Sequence, residues 1–344
     1  MDCYNSLEHG MRNAPADTAL TMNQPARHEP RPACLTARYA LRARRHAPRS
    51  VCCPRKTTAR SDQATSSDTE SFTLDAVSNR IAHSKVSGEW IYDANDRLTQ
   101  RGAGTNAATY QFDAAGSLTS KAESGRITRY FYDTQNRLVE IQDNSNNPIA
   151  RYGYDPLNRR IWKEQYRHAN GDIFAQAVRT YYLYADEGLI TEAIQAINVS
   201  TDASVTASAT PQIATQYGPK PNAPFTTGTL FIKTKNSNGQ PTVAYYHHDH
   251  LNTPLQATDK AGTIVWAARY NAFGAATIIT PAATTEKPTI TSNLRLPGQY
   301  EDEESNLHYN WHRYYDVATG RYATADPIGL VGGINTYAYA VVYG

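Results

Sequence analysis

The feature that most constrains the fold of this chain is a repeat of about twenty residues. Five segments share one pattern of apolar residues, an aspartate and a polar turn: FTLDAVSNRI, WIYDANDRL, YQFDAAGSL, YFYDTQNRL and YGYDPLNRRI. Their aspartates are Asp75, Asp93, Asp113, Asp133 and Asp155, with spacings of 18, 20, 20 and 22 residues. A nearly constant period of this length is typical of repeat architectures.

The structure of one unit follows from its residues. Tyr130 and Tyr132 lie on the same face of a strand, because side chains alternate between the faces. Asp133 and Asn136 have short polar side chains that bond nearby backbone amides and open a turn, after which Arg137 begins a return strand. Because an isolated hairpin is only marginally stable in water, successive hairpins are expected to stack into one curling sheet. The repeated aspartates are then turn residues, not catalysts.

The predicted fold is therefore all-β, a spiral of stacked β-hairpins that forms an incomplete shell after a disordered N-terminal segment. We expect a disordered basic leader at 1–70, the repeats at 71–185, an irregular insertion at 186–242 and a C-terminal core domain at 243–344. The composition includes 24 Tyr and only 7 Phe. This excess favours half-buried strands whose side chains keep a polar tip.

The leader differs in charge from the rest of the chain. Residues 1–60 contain 10 Arg and 1 Lys against 4 carboxylates, a net charge of +7, which leaves −5 for the remainder. An Arg-rich tail is suited to nucleic acid or anionic membrane, but a solvated leader is the simpler interpretation. All four cysteines lie here, so no disulfide framework is expected in the main body: Cys3, Cys34, Cys52 and Cys53.

No targeting or membrane segment is evident in the sequence. No run of 18 apolar residues is present, and the first twenty residues lack the apolar region of a general secretory signal. We therefore expect no membrane span, and secretion would require a non-classical route.

The stretch HHDHLNTPLQATD raises the question of a metal site. His247 and Asp249 share one face of a strand, whereas His248 and His250 share the other, so at most a pair of ligands meets on either face. No HExxH spacing is present. We therefore predict no metal and no cofactor here. Asp249 instead occupies the turn position of the earlier units, and His247 takes the place of an aromatic residue.

The chain resembles the Rhs family. The YxYDxxNRL units are similar to YD repeats, HHDHLNTPLQATD with YNAFG resembles the motif that follows them, and Leu294–Tyr339 resembles the Rhs-associated core domain. This resemblance implies a hollow β shell that holds a C-terminal toxin, released by self-cleavage after the core domain. It also implies an export apparatus as a partner and delivery to the cell surface or outside in interbacterial competition.

The sequence departs from the family pattern in ways that affect these expectations. Only about five clear units are present, and the chain ends after TYAYAVVYG, where the family continues to a second DPxG and a toxin. We therefore interpret the chain as a truncated shell that lacks its toxin.

The candidate catalytic residues are Asp326, in DPIG, and Arg321 as its helper. The resemblance implies an aspartyl-type autoprotease, but such a mechanism needs two carboxyl groups that share a proton. Asp302 and Asp316 are the alternatives for the missing second acid. A turn formed by Asp326 and Pro327 is the preferred interpretation, and enzymatic activity is not expected.

Three functional hypotheses therefore remain open. The first is the Rhs shell scaffold that encloses and delivers a toxin. The second is a tyrosine-rich repeat surface that binds carbohydrate on a cell, which requires aromatic side chains directed outward. The third is a residual self-cleaving module. No nucleic-acid partner is expected for the folded part.

Overall fold

The computed structural model describes residues 56–59, 70–167, 172–199, 205–207 and 209–339. Most of the predicted leader, and all four cysteines, lie outside the described residues. Within the leader, Lys56–Ala59 forms a strand that pairs antiparallel with Glu70–Leu74, with Thr57 opposite Phe72. Backbone pairing with a neighbouring strand thus orders these four residues, and the boundary of the leader at residue 70 stays a prediction.

The described residues form strands in three antiparallel sheets, with two short 3₁₀ turns at Gly104–Asn106 and Gly329–Gly332 and no α-helix. The first sheet contains β1 (Lys56–Ala59), β2 (Glu70–Leu74) and β3 (Arg80–His83). The second contains β4 (Trp90–Tyr92), β5 (Leu98–Arg101), β6 (Ala108–Phe112), β7 (Leu118–Glu123), β8 (Arg126–Tyr132), β9 (Leu138–Gln142), β10 (Pro148–Tyr154), β11 (Arg160–Arg167), β12 (Ile173–Ala185), β13 (Gly188–Val199), β14 (Val205–Ala207), β15 (Gln212–Gly218), β16 (Phe231–Lys235), β17 (Pro241–His248), β18 (Pro254–Thr258), β19 (Ile264–Tyr270) and β20 (Ala276–Ile278). The third contains β21 (Tyr300–Asp302), β22 (Leu307–Asn310), β23 (Arg313–Asp316) and β24 (Arg321–Tyr322).

The second sheet, called the wall below, follows chain order. Each strand pairs with the next one along the chain, except that β13 pairs with both β14 and β15. The predicted all-β class and the stacking of hairpins are confirmed. The aspartates of the repeat lie at successive bends of neighbouring hairpins, between β2 and β3, β4 and β5, β6 and β7, β8 and β9, and β10 and β11. These five bends are called the turn row.

Each aspartate of the turn row closes its own turn. The Oδ1 atom of Asp133 accepts hydrogen bonds from the backbone N–H groups of Gln135 at 2.9 Å and Arg137 at 3.0 Å. The backbone N–H of Asp133 donates to the carbonyl of Arg137, and Asn136 has a φ of 62°. A short polar residue tolerates this left-handed conformation better than a bulky one. The predicted role of the aspartates as turn residues is confirmed.

The same turn also occurs on the opposite edge of the wall, where the twenty-residue period does not reveal it. Asp143, between β9 and β10, bonds the backbone N–H groups of Ser145 and Asn147 at 2.8 and 2.9 Å. Asn236 and Asp259 form equivalent turns on that edge. The wall is therefore bordered on both edges by side-chain-closed turns.

The segment 186–242, for which the sequence predicts an irregular insertion, contains strands of the same wall. The long hairpin of β12 and β13 pairs from Val178 with Ala196 to Ala185 with Gly188, and β15 and β16 continue the order. The turn between β12 and β13 has only two residues, Asp186 and Glu187, instead of the five of a repeat turn such as 133–137, which explains why the repeat pattern is not visible there. Ladder pairing in a sheet depends on backbone groups and does not need the repeat motif. The division of the chain at residues 185 and 242 stays a prediction.

Most tyrosines of the wall point inward and form its core, whereas Tyr245 of β17 is 49% exposed. Buried inward-facing residues come from successive strands and include Tyr110, Tyr130, Tyr152, Tyr182, Tyr217 and Tyr246, together with Leu98, Leu118 and Leu138. The exposed, outward-facing apolar residues of the wall include Ile91 and Phe131. The carbohydrate hypothesis required aromatic rings that point outward, and Phe131 and Tyr245 are exposed, so this hypothesis stays a prediction.

We expect Asp133→Ala to lower the free energy of unfolding by about 1–3 kcal/mol, because two backbone N–H groups and Arg137 lose a charged acceptor. Asp133→Asn is the matched control, since it keeps an Oδ1 acceptor and removes only the charge. Urea unfolding followed by circular dichroism measures both. Equal effects of the two substitutions would show that the backbone bonds to Oδ1 do not contribute.

Candidate functional site

Residues 294–339, called the C-terminal segment, lie along the turn row. Four turns receive a hydrogen bond from this segment on a backbone carbonyl. The bonds run from Asn335 to Val77 (2.9 Å), from Arg321 to Asp96, from Tyr337 to Gly116 (2.8 Å), and from Trp311 and Tyr309 to Leu157 and Asn158 (3.0 and 3.3 Å). Because backbone carbonyls recur at the same place in every unit, the repeat itself creates the surface on which this segment packs.

Neighbouring turns of the row are also bonded to one another. Arg137 pairs with Asp133 in its own turn and donates at 3.2 Å to the carbonyl of Asp155 in the next. Arg97 makes the equivalent contact with the carbonyl of Asp113, also at 3.2 Å. The turn row is thus a continuous polar edge, which the C-terminal segment covers.

Arg321, the first sequence-predicted site residue, is a buried part of this contact. Its guanidinium donates to the Asn79 side chain and to the Asp96 carbonyl, and it lies 4.8 Å from the ring centroid of Tyr92. Burial lowers the pKa of Arg321 against the opposing effect of nearby tyrosines and Asp96. Its position joins two turns of the row to the C-terminal segment, and none of its hydrogen bonds goes to Asp326.

Asp326, the second predicted site residue, pairs with Arg313 at 2.8 Å. Its Oδ1 atom accepts from the backbone N–H of Ile328 at 3.1 Å, and its carbonyl accepts from Gly329, as expected for a turn. The guanidinium of Arg313 lies 3.6 Å from the ring centroid of Tyr322. Burial lowers the pKa of Arg313 against the opposing effects of Tyr322 and Asp326. The cation at Asp326 is therefore Arg313 and not Arg321. A catalytic role of Asp326 stays a prediction.

The two alternative acids lie in other surroundings. Asp316 accepts a hydrogen bond from the backbone N–H of Ala318 at 2.8 Å and closes the turn before β24. Asp302 is fully buried and paired with Arg160 and Lys163. Asp316 therefore closes a turn within the C-terminal segment, whereas Asp302 joins this segment to the wall.

A buried ion cluster joins the wall to the C-terminal segment, and sequence reasoning did not find it. Arg160 of β11 donates with both terminal nitrogens to Asp302, with 2.9 Å between Nη2 and Oδ1. Lys163 lies three residues after Arg160 in β11 and donates to Asp302 at 2.9 Å and to Glu304 at 3.0 Å. The Tyr152 hydroxyl donates to Glu304 at 3.1 Å. All five side chains are almost completely shielded from solvent.

The electrostatics of the cluster follow from these contacts. Burial by itself favours the neutral form of Asp302, but Arg160 and Lys163 hold the pKa of Asp302 below its usual value of 3.8. Burial raises the pKa of Glu304, and Lys163 only partly opposes this. The cluster therefore keeps Asp302 as the fixed anion between two cations.

The sequence contained one signal for this cluster. In the units at Asp93, Asp113 and Asp133, the fifth residue after the aspartate is a leucine that points into the core. In the units at Asp75 and Asp155 this position is Arg80 or Arg160, and both are buried. Arg80 donates to the Ala318 carbonyl at 3.1 Å and lies 3.7 Å from the Phe273 ring. An arginine in a core position of a repeat thus marks a contact with the C-terminal segment.

The predicted strand of the histidine stretch ends at His248, and Asp249 and His250 lie in the turn that follows. The side chain of Asp249 bonds the backbone N–H groups of Leu251 and Thr253, both at 2.8 Å, which confirms it as a turn residue. His247 is exposed and contacts Thr258 at 2.9 Å. Residues with metal-binding side chains form no group of three or more in the described part of the chain. In the same part, no helix is long and apolar enough to cross a membrane.

His308 gives a prediction about pH. It is buried beside Gln299 at 2.7 Å, and burial together with Arg295 lowers its pKa from 6.5 to about 3. The unfolded chain binds a proton below pH 6.5 but the folded chain does not, so stability is fully present above pH 6.5 and falls toward pH 3. We expect this group alone to remove up to about 1.4 kcal/mol per pH unit in that window.

The control for this prediction is His308→Gln, which cannot be protonated. Chemical unfolding of both proteins between pH 7 and pH 4 measures the difference. If the free energies of unfolding of both proteins fall in parallel as the pH is lowered, His308 is not the cause of the pH dependence.

Comparisons with known proteins agree with these features. The family model described as Teneurin YD-shell matches residues 58–204, and the model described as RHS protein matches residues 243–278. The chain is 30% identical over 290 residues to the double-stranded DNA deaminase toxin A of Burkholderia cenocepacia, a match that covers 79% of this chain and 18% of that protein. It is 33% identical over 246 residues to the toxin protein Tse5 of Pseudomonas aeruginosa, covering 67% of this chain and 18% of that protein.

The chain thus spans less than one fifth of the length of these two relatives. Among solved structures, the crystal structure of TcdB2-TccC3-Cdc42 is similar with a TM-score of 0.44 at 15% sequence identity, covering 78% of this chain and 16% of that chain.

Proposed function

The chain belongs to the Rhs YD-repeat family, and from this membership we propose that it forms part of a shell that encloses and delivers a toxin. The two relatives described above are both named as toxins, and each is more than five times the length of the matched region. The toxin itself, an export apparatus and a role in interbacterial competition are parts of this proposal.

One observation carries the proposal: the wall turns its apolar and tyrosine side chains inward, and the C-terminal segment covers the turn row at one edge. Bonds to backbone carbonyls fix the segment at the edge, and the buried cluster of Arg160, Lys163 and Asp302 fixes it to the inner face. A shell that encloses a toxin needs edges that are covered by other parts of the chain, whereas an enzyme needs a cleft that its substrate can enter.

Asp326 has a structural role in this proposal. Its pair with Arg313 and its turn with Ile328 hold the chain as it leaves the wall edge. Asp326→Asn is then expected to leave the chain intact in length and to alter only its stability. A new N-terminus near residue 326 in the unmodified protein, lost in Asp326→Asn, would support self-cleavage instead.

The function can be tested in a chimera. Residues 90–339 replace the matching segment of Tse5, with the toxin region of that protein retained. We expect the toxin region to be protected from added protease and the chimera to kill susceptible cells in a competition assay. The matched control carries Asp302→Asn, which is expected to detach the C-terminal segment from the wall and so to expose the toxin region. A chimera that is folded by circular dichroism but as protease-sensitive as the control would contradict the proposal.

A further inference from the structure

Exposed apolar side chains form a row on the outer side of strands β16 to β19. Phe231 of β16 lies opposite Tyr245 of β17. Tyr245 lies opposite Thr258 of β18, and Thr258 lies opposite Ile264 of β19. Residues opposite each other in an antiparallel sheet share one face, so these four side chains are neighbours. Because Phe231, Tyr245 and Ile264 are exposed, the row presents apolar surface to the outside of the wall.

Two lysines lie beside this row. Lys233 is opposite the exposed Val243, and Lys235 is opposite Pro241, on the same side of β16 as Phe231. Both lysines are exposed, and neither forms an ion pair with another residue of the part of the chain that the structure describes. The strands from β15 to β20 contain no Asp and no Glu. The positive charge on this side of the wall is therefore not neutralised by the strands that carry it.

The outer side of the preceding strands is arranged differently. Phe131 of β8 is exposed and lies opposite Glu140 of β9. Glu140 pairs with Arg151 at 3.2 Å, and Glu164 pairs with Arg179. Each of these cations meets a carboxylate of a neighbouring strand, whereas the lysines of β16 do not.

We propose that the outer side of β16 to β19 is a docking surface for an anionic lipid bilayer. This surface, called the cationic face, consists of Phe231, Lys233, Lys235, Val243, Tyr245 and Ile264. The apolar side chains enter the boundary between the headgroups and the acyl chains, and the adjacent lysines attract the headgroup phosphates. The docking surface lies outside the wall and does not depend on an enclosed toxin.

The chemistry of the cationic face distinguishes a bilayer from other partners. Nucleic-acid interfaces are polar and strongly positive, whereas this face combines two lysines with a row of apolar side chains. A second copy of the chain, related by a twofold axis, would bring the lysines of both copies together, because identical patches meet in such an interface. An anionic bilayer supplies both an apolar phase and negative charge.

Quenching of fluorescence by brominated lipid tests this contact in the full chain. The Arg-rich leader is present in every variant, so the readout has to be local to the face. Tyr245→Trp places an indole in the cationic face, and Phe131→Trp is the matched control at an exposed aromatic residue where the charges are paired. With vesicles of equal parts phosphatidylglycerol and brominated phosphatidylcholine, we expect stronger quenching in Tyr245→Trp than in the unmodified protein, and no increase in Phe131→Trp. Equal quenching of the two variants would overturn the proposal.

Substitution of the lysines tests the role of charge. In the Tyr245→Trp background, Lys233→Gln with Lys235→Gln is expected to raise the lipid concentration at half-maximal quenching by about 10- to 30-fold, since lysines near an anionic surface strengthen binding. Lys220→Gln with Lys287→Gln is the control, because it removes the same charge from exposed positions outside the strands. An equal shift in both double variants would reject the cationic face. Quenching of unchanged strength by vesicles without phosphatidylglycerol would reject the requirement for anionic lipid.

Discussion

Asp302→Asn should lower the free energy of unfolding by about 3–5 kcal/mol, because it leaves the guanidinium of Arg160 and the ammonium of Lys163 buried with one carboxyl group less. The isosteric amide keeps the volume, so the loss measures charge and not packing. Asp302 lies on the C-terminal segment and its partners on the wall. We therefore expect the segment to detach from the wall in this variant, with faster proteolysis after residue 293 than in the unmodified protein.

Asp186→Asn is the matched control for this substitution, since Asp186 is exposed at the turn between β12 and β13. A change at Asp186 should fall within about 0.5 kcal/mol. Chemical unfolding monitored by tyrosine fluorescence gives both values. If Asp302→Asn costs no more than Asp186→Asn, the buried cluster does not hold the segment to the wall.

Leu138→Arg should destabilise the wall by more than about 4 kcal/mol and produce insoluble protein, since a charge is buried without a partner. Leu138 is 1% exposed and occupies the same repeat position as Arg160. The surroundings of the two positions differ, however. Arg160 faces Asp302, whereas Leu138 lines a small pocket together with Arg137 and Arg313 and no carboxylate, so a new cation there has no anionic partner in the lining.

Leu138→Met is the control, because it preserves volume and is expected to cost less than about 1.5 kcal/mol. The yield of soluble protein and the midpoint of urea unfolding distinguish the two variants. Recovery of Leu138→Arg with a midpoint close to that of Leu138→Met would show that this repeat position accepts arginine wherever it occurs, and that Asp302 is not what makes Arg160 tolerable.

Much of the fold could be predicted because it is local. The turn at Asp133 is formed by atoms within five residues, so the pattern of aspartate and Asn136 was sufficient to identify it. The strand pairing followed from hairpins that stack in chain order. The turn at Asp143 escaped notice, because it lies on the other edge and is followed by Asn147 rather than arginine.

The candidate site was predicted less well, since its contacts join residues far apart in the chain. The sequence analysis named Arg321 as the helper of Asp326, yet Arg321 bonds Asn79 and Asp96, and Arg313 is the ion-pair partner of Asp326. On short, irregular strands, nearness in sequence does not decide which way a side chain points.

What the sequence by itself determined is the repeating unit: the inward tyrosines, the aspartate at each bend, and the need of each hairpin for a neighbour. These depend on side-chain alternation and on hydrogen bonds that reach at most five residues. Only the tertiary structure decided which residues meet across 141–258 positions of the chain, such as Lys163 with Glu304 and Asn335 with Val77. Their pairing depends on how the wall curls and where the C-terminal segment crosses it, and no local pattern records that geometry.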